Sequence, residues 1–176
     1  MGGQVGSDVA RVGRAMAART GLRFTEIDRV VENGVGQSLA QLLRTRGPDA
    51  LTEASLTALG RALGRRPCGI IILGSAALST ADMADLTPRA RFVYLMRPRK
   101  VLFDRVCAQL SAIPGSLFQF QLATPTREED LDPLLAAREG ALRQSQTTVD
   151  AGDRHPNEIA TAILGILDRI MEVEKI

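Results

Sequence analysis

The stretch Gly3-Gln4-Val5-Gly6-Ser7-Asp8-Val9-Ala10-Arg11-Val12-Gly13-Arg14 decides how the rest of the chain is interpreted. Its glycines and its direct passage into a helical pattern are typical of a phosphate-binding loop, G-x-x-x-x-G-K-[ST]. Where that motif needs Gly-Lys followed by Ser or Thr, this chain has Asp8-Val9-Ala10. Val and Ala remove the ammonium that contacts the phosphates and the hydroxyl that binds Mg²⁺, and Asp8 adds a negative charge. The loop predicts a nucleotide-kinase scaffold that does not handle ATP in the usual way.

Length and composition predict one domain that covers residues 1–176. Of these 176 residues 45% are hydrophobic, which is enough to bury a core. The formal charge is only +2 and aromatic residues make up 3%, so we expect no nucleic-acid partner. Cys68, Cys107 and His155 show no metal-ligand spacing. Because no apolar run reaches the roughly 18 residues of a membrane span, we expect no membrane association and a cytoplasmic location.

The remaining pattern alternates short apolar strands with helices. Strands are predicted over residues 23–28, 69–73, 91–96 and 147–150. Helices are predicted over residues 9–20, from Ser38, from Pro48, and over 79–86, 98–110, 128–146 and 157 to about 171. Strands separated by helices form right-handed βαβ units. The predicted fold is therefore α/β, a three-layer P-loop kinase-like domain with a parallel sheet.

The first strand of that fold is predicted to be missing or truncated. A phosphate-binding loop follows an apolar strand, yet only Met1 and Gly2 precede Gly3. Three explanations stay open: the sheet lacks its central strand; a partner chain, a second copy or another segment supplies it; or the chain is a piece of a longer protein.

Taken in order, these signals resemble the shikimate kinase family over nearly the whole chain. The segments that carry the resemblance are Gly3 to Gly6, Val12-Gly13-Arg14, Phe24 to Asp28, Val31-Glu32 through Ser38-Leu39, Gly47 to Ser55, Leu73-Gly74-Ser75-Ala76, Val93-Tyr94-Leu95 and Arg138 to Leu142. The resemblance implies transfer of the ATP γ-phosphoryl group to the shikimate 3-hydroxyl with Mg²⁺. The loop itself offers nucleotide-binding positions at Gly3, Gly6 and Ser7, and Arg11 is the one cation in the loop that could substitute for the missing lysine.

Some family residues for substrate are kept. By the resemblance, Asp28 holds a substrate hydroxyl and is the catalytic residue if the protein is active. Arg138 pairs with the substrate carboxylate, and Gly74 keeps the first glycine of a substrate-binding triple. Glu26 replaces an aspartate that helps to place Mg²⁺ through water, so it is the candidate metal residue.

Other family residues are lost. Thr52 stands where a second arginine completes the carboxylate clamp, and Ser75 and Ala76 replace glycines. The lid-like region, about residues 111–126, contains no arginine for the family's catalytic position. Without the loop lysine and the lid arginine, phosphoryl transfer loses groups that are each worth on the order of several kcal/mol in the transition state.

Each of these residues also has a structural interpretation without a ligand. Asp28 could cap a helix that begins at Arg29, and Arg138 could form a surface ion pair. Glu26 and Arg11 could simply be solvated. The cations that open the helix after the strand 91–96 are further candidates for contact with a phosphate: Arg97, Arg99 and Lys100.

Three hypotheses for the function follow. The first is a catalytically impaired or inactive relative that binds a small carboxylate or acts as a regulatory domain, with no cofactor. The second is an active kinase that uses ATP and Mg²⁺, with Asp28 as general base. The third is a structural or interaction subunit, supported by the short first strand and the apolar segment Leu117 to Leu122.

Overall fold

The structure is a computed structural model that describes residues 1–67, 69–80, 90–112 and 125–173. Strands and helices alternate along these residues. The strands are β1 (Gly2–Gly3), β2 (Arg23–Glu26), β3 (Gly69–Ile72), β4 (Val93–Met96) and β5 (Thr147–Asp150). The helices are α1 (Val9–Thr20), α2 (Ile27–Val35), α3 (Leu39–Gly64), α4 (Ser75–Thr80), α5 (Arg99–Ala112), α6 (Asp132–Ala136), α7 (Glu139–Arg143) and α8 (Pro156–Val173), with a 3₁₀ helix at Glu128–Leu131.

The strands of the described residues pair in parallel. β2 pairs with β3, β1 pairs with β4, and β4 pairs with β5. Met1 joins the two groups, because its backbone nitrogen donates to the Ile71 carbonyl at 2.6 Å and its carbonyl accepts from the Leu73 N–H at 2.9 Å. The strands therefore follow one another across the sheet in the order 2-3-1-4-5.

The first strand is present but has only two residues, Gly2 and Gly3. The prediction of a truncated strand is confirmed, and the explanation that the sheet lacks its central strand is wrong. The strand could not be recognised in the sequence, because two glycines show no apolar pattern. Gly3 has little room for a side chain, since a methyl group there would lie 2.9 Å from the backbone oxygen of Leu95.

Helices cover both faces of the sheet, as the three-layer prediction requires. On one face α1 and α8 pack over buried residues that include Val12, Val93 and Ile159. On the other face α2, α3 and α4 enclose a second core that includes Ile27, Leu59 and Tyr94. Among the helices of the described residues, none has the length and hydropathy of a membrane span.

Two predicted helix starts are confirmed in α3. The Ser38 hydroxyl accepts from the Gln41 N–H while the Gln41 side chain accepts from the Ser38 N–H, a capping box. At Gly47 the backbone turns out of the helical region (φ 80°, ψ 177°), and a second helical segment starts at Pro48.

Other predicted boundaries were wrong. The helix predicted over 128–146 is instead the 3₁₀ helix followed by α6 and α7, with a break at Arg138. The strand predicted over 91–96 begins at Val93. The helix predicted over 79–86 falls largely outside the described residues, which contain α4 from Ser75 to Thr80.

Close contact between α1 and the sheet depends on Gly13. A methyl group on Gly13 would lie 2.5 Å from Ile72 Cδ1 and 3.0 Å from Phe24 Cε2. We expect Gly13→Ala to lower the free energy of unfolding by about 1–3 kcal/mol, since the core must shift to accept it. Gly34→Ala in α2, where nothing lies within 4 Å, is the matched control and should stabilise by about 0.5–1 kcal/mol. Urea denaturation measures both, and equal effects would contradict this packing.

Candidate ligand site at the carboxyl ends of the strands

A cavity of about 250 Å³ lies between the loop that follows β1 and the carboxyl ends of β2 and β3. It is where an open parallel sheet is expected to bind ligands. The structure brings together there all the site residues predicted from the sequence: Gly3, Gly6, Ser7, Arg11, Glu26, Asp28, Gly74 and Arg138.

The loop keeps the backbone of a phosphate-binding turn without its side chains. Gly6 and Asp8 both have left-handed backbone conformations, with φ of 74° and 60°. Asp8 stands where the motif has its second glycine, and aspartate is among the few other residues that tolerate this region. The Ser7 hydroxyl donates to the Gln4 carbonyl at 2.6 Å, so the loop is hydrogen-bonded to itself. Val9 packs over Gly3, where a methyl group would lie 2.7 Å from Val9 Cγ2.

The Asp8 carboxylate is bound by an arginine from a distant helix. Asp8 Oδ2 accepts a hydrogen bond from Arg105 Nη1 on α5 and lies 3.8 Å from Arg11 Nη1. Arg105 also pairs with Asp153, with 3.0 Å between Nη2 and Oδ1. Arg11 itself is largely exposed, with 62% of its side chain accessible, which agrees with the solvated interpretation.

A second arginine, Arg97, is hydrogen-bonded to the backbone of the loop. Arg97 is only 4% exposed and donates from Nη1 to the Gly152 carbonyl at 2.7 Å and from Nε to the Ser7 carbonyl at 3.3 Å. Burial lowers the pKa of Arg97, and the nearby Arg105 adds to this effect. These bonds connect the loop to the segment that contains Gly152, and contact of Arg97 with a phosphate stays a prediction.

The other two predicted phosphate contacts also have protein partners. Arg99 pairs with Asp132, and the Lys100 ammonium lies 3.3 Å from Asp104. These pairs, like the carbonyl bonds of Arg97, are structural alternatives to the proposed phosphate contacts.

Glu26 is engaged by a cation of α1. Its Oε2 accepts from Arg14 Nη2 at 2.7 Å, and the Arg14 guanidinium lies 5.4 Å from the centre of the Phe24 ring. Glu26 precedes the first residue of α2, but its side chain makes no cap bond. Within the described residues no group of three or more His, Cys, Asp or Glu is arranged to hold a metal ion. Magnesium placement by Glu26 stays a prediction.

Asp28 lies in the first turn of α2, which begins at Ile27. The interpretation of Asp28 as the cap of a helix starting at Arg29 is therefore wrong. The carboxylate lies directly against the Gly74 backbone, since a methyl group at Gly74 would overlap Oδ1. Gly74 thus serves to admit the Asp28 side chain.

Arg138 is buried, with 5% of its surface exposed, so its interpretation as a surface ion pair is wrong. The break between α6 and α7 turns the side chain inward, where Nη1 donates to the Leu134 carbonyl at 2.8 Å. Burial lowers the pKa of Arg138, and the nearby Asp28 carboxylate opposes that shift. Burial also raises the pKa of Tyr94 to about 12, so the phenol is neutral at physiological pH.

A parallel sheet between helical layers, with a glycine-containing loop leading from β1 into α1, defines a P-loop kinase-like protein. A sequence profile described as Shikimate kinase matches residues 9–168. The shikimate kinase of Nitrobacter winogradskyi is 26% identical over 167 residues, which cover 95% of this chain and 75% of the relative. The chain belongs to the shikimate kinase family.

Solved structures of low sequence identity have the same fold. A shikimate kinase from Acinetobacter baumannii in complex with shikimate superposes with a TM-score of 0.78 at 21% identity, covering 94% of this chain and 89% of that one. The Aquifex aeolicus shikimate kinase gives 0.76 at 18% identity, with 96% of both chains covered. Of the predicted lid-like region 111–126, residues 113–124 lie outside the described ranges.

The contact between Gly74 and Asp28 gives a test by double-mutant cycle. We expect Gly74→Ala to destabilise the protein by about 1–3 kcal/mol, because the new methyl group displaces the Asp28 carboxylate. In an Asp28→Ala background the same change should cost much less, since the overlapping atoms are gone. Thermal unfolding of the four proteins measures the coupling, and additive effects would contradict this arrangement.

Proposed function

We propose that this protein is a shikimate kinase relative that has lost ATP-dependent phosphoryl transfer and binds a small carboxylate. It would then act as a regulatory domain, without a nucleotide or metal cofactor, in the cytoplasm. The observation that carries this proposal is the Asp8 carboxylate, which lies in the phosphate-binding turn and is paired with Arg105.

Charge is the first support. A triphosphate at this loop would meet a carboxylate at Asp8 instead of an ammonium at position 9, where the chain has Val9. Two unit charges about 4 Å apart interact with about 4 kcal/mol near a protein surface, so changing attraction into repulsion is a large loss of affinity. A bound phosphate would also have to compete with Asp8 for the Arg105 guanidinium.

Magnesium handling is the second support. Ala10 offers no hydroxyl at the motif's metal position, and Ser7 donates its own hydroxyl to Gln4. Glu26 is paired with Arg14, so a cation would have to displace a guanidinium to reach that carboxylate. The loop therefore offers no free hydroxyl ligand for Mg²⁺, and the nearby carboxylate of Glu26 is already paired.

The part of the cavity that Asp28 and Arg138 line supports carboxylate binding. Arg138 and Asp28 line the same cavity, and a guanidinium is the side chain best suited to a carboxylate ligand. Asp28 is an acceptor for a ligand hydroxyl group, held in place against Gly74. Since the Acinetobacter structure is a complex with shikimate, we take shikimate as the probe for this pocket.

Calorimetric titration tests both halves of the proposal separately. Mg·ATP added to about millimolar concentration should give no binding heat, because the loop lacks its cation. Shikimate should bind, because Arg138 and Asp28 are in place. Micromolar affinity for Mg·ATP would overturn the loss of nucleotide binding, and absence of shikimate binding would overturn the carboxylate assignment.

A matched pair of arginine variants locates the carboxylate. Arg138→Met should weaken shikimate binding at least tenfold, since it removes the cavity's buried guanidinium. Arg143→Met, on the adjoining helix with its side chain 75% exposed, should leave the affinity unchanged. Circular dichroism checks that both variants fold, and an equal effect of the two would place the ligand elsewhere.

Removing the loop carboxylate should restore affinity for phosphate. We expect Asp8→Gly to raise the affinity for inorganic tripolyphosphate at least tenfold, because it releases Arg105 and suits the left-handed backbone. Asp153→Asn, which removes the other carboxylate partner of Arg105 but leaves Asp8 in place, is the control. Calorimetry in low salt measures both, and no gain for Asp8→Gly would show that Asp8 does not block the loop.

A working kinase is the second candidate, favoured by the convergence of Glu26, Asp28 and Arg138 on one cavity. In that case Asp28 would act as general base on the shikimate 3-hydroxyl. A coupled assay of ADP release with ATP and shikimate distinguishes the two candidates. Turnover that disappears in Asp28→Asn would establish the kinase.

A further inference from the structure

Gln109 is a half-buried residue of α5 that lines the ligand cavity. The carboxylates of Asp8 and Glu26, which line the same cavity, each accept a hydrogen bond from an arginine. By contrast, no residue in the described part of the chain hydrogen-bonds to the side-chain amide of Gln109. This amide can therefore bind a ligand in the cavity without giving up a contact with the protein.

The packing of α5 on the loop places Gln109 where the cavity meets the loop. Gly6 lies against this helix, since a methyl group on it would be 3.1 Å from the Leu102 carbonyl oxygen and 3.2 Å from Val106 Cγ2. Arg105, whose guanidinium binds the loop carboxylate, lies on the same side of α5. Helix residues spaced by three, four and seven positions share one face, so Gln109 continues the face that begins at Leu102.

Gln109 is uncharged at a place where phosphate recognition would favour a cation. Arginine and lysine are the side chains that bind phosphate groups, whereas a glutamine amide is a neutral donor and acceptor. Arg105, one turn earlier in α5, is already paired with Asp8 and Asp153. We therefore expect the ligand to present an uncharged polar group to Gln109.

A hydroxyl group is the uncharged group that suits both Gln109 and Asp28. A hydroxyl donates one hydrogen bond and accepts others through its two lone pairs. The carboxylate of Asp28 only accepts, so it would take the hydroxyl proton. The hydroxyl oxygen then needs a donor, and the amide of Gln109 has two N–H groups to offer.

The size of the cavity limits the ligand to one small molecule. Its volume of about 250 Å³ lies below the range of about 300–1,000 Å³ that is usual for ligand pockets. A carboxylate bound by Arg138 and a hydroxyl bound by Asp28 and Gln109 would therefore belong to a single small hydroxy acid.

We infer that Gln109 is a specificity-determining residue, which donates a hydrogen bond to a ligand hydroxyl and selects an unphosphorylated hydroxy acid over its phosphate ester. The inference rests on the proposed function and deepens it, because it names the ligand class of the same cavity. A phosphate at that hydroxyl would bring a charge of about −1.5 to −2 toward Asp8 and Asp28, and a neutral amide would not offset it.

Calorimetry with shikimate and shikimate 3-phosphate tests this selectivity. In the reaction of the shikimate kinase family the 3-hydroxyl receives the phosphoryl group, so this hydroxyl has to face the phosphate-binding loop. It is therefore the hydroxyl that we expect beside Gln109. The unsubstituted protein should bind shikimate at least a hundredfold more tightly than shikimate 3-phosphate.

Two substitutions separate the donor from the shape of the side chain. Gln109→Met keeps the length but removes the amide, and it should weaken shikimate binding about tenfold. Gln109→Glu keeps the shape but cannot donate when ionised, so it should weaken binding at least as much. Gln144→Met, at an exposed glutamine outside the cavity, is the matched control and should bind shikimate normally. Circular dichroism checks that all three variants fold.

A third substitution should change the preference for the phosphate ester. Gln109→Lys keeps a donor for the hydroxyl and adds an ammonium beside the ester group, so it should raise the affinity for shikimate 3-phosphate at least tenfold. Ala108→Lys, at the exposed neighbouring position of α5, controls for the added charge and should leave this affinity unchanged.

The outcomes distinguish this inference from the proposed function. Shikimate binding that Arg138→Met weakens and Gln109→Met leaves unchanged would overturn the inference alone. Equal affinity of the unsubstituted protein for shikimate and its 3-phosphate, or no gain for the ester in Gln109→Lys, would also overturn it alone. Absence of shikimate binding to the unsubstituted protein would overturn both.

Discussion

In the proposed function, the behaviour of the loop after β1 depends on the pairing of Asp8 with Arg105. In an active phosphate-binding turn, backbone N–H groups and a lysine converge on a ligand that brings its own negative charge. Here the protein supplies that charge itself, and a guanidinium from α5 binds it. Two other polar groups of the loop are hydrogen-bonded within the protein, because the Ser7 hydroxyl donates to the Gln4 carbonyl and the Ser7 carbonyl accepts from Arg97.

The loop keeps the backbone of a phosphate-binding turn without the motif's side chains, because its conformation and its affinity for phosphate depend on different atoms. The turn needs positive φ at Gly6 and Asp8 and a close approach of backbone at Gly3, and the chain meets these needs. Phosphate binding needs the side chains at positions 9 and 10, which pack as Val and Ala instead. Membership of the shikimate kinase family is therefore compatible with the proposed loss of phosphate binding.

Local signals in the sequence predicted most of the fold. The capping box at Ser38, the break at Gly47 and the order of strands and helices depend on neighbouring residues, so they could be read from the sequence. The first strand could not be predicted from the sequence, because two glycines show no hydrophobic periodicity. The loop residues were found through the phosphate-binding motif, and Asp28, Gly74 and Arg138 were found through the family resemblance. All of them line one cavity.

Long-range contacts could not be predicted. Arg105 is 97 residues from Asp8, and nothing in its helix distinguishes it from its charged neighbours. Arg138 looked like a surface residue because acidic residues precede it, yet the break between α6 and α7 turns it inward. The burial of Arg97 follows from carbonyls more than fifty residues away. Each depends on how the sheet brings distant segments together, which no local pattern encodes.

A crystal structure of the protein grown with saturating Mg·ATP and shikimate tests the central claim most directly. The account predicts shikimate density beside Asp28 and Arg138, with the Asp8 carboxylate still bound by Arg105 and no nucleotide at the loop. Density for a triphosphate cradled by the backbone of Gly6 to Ala10 would contradict it.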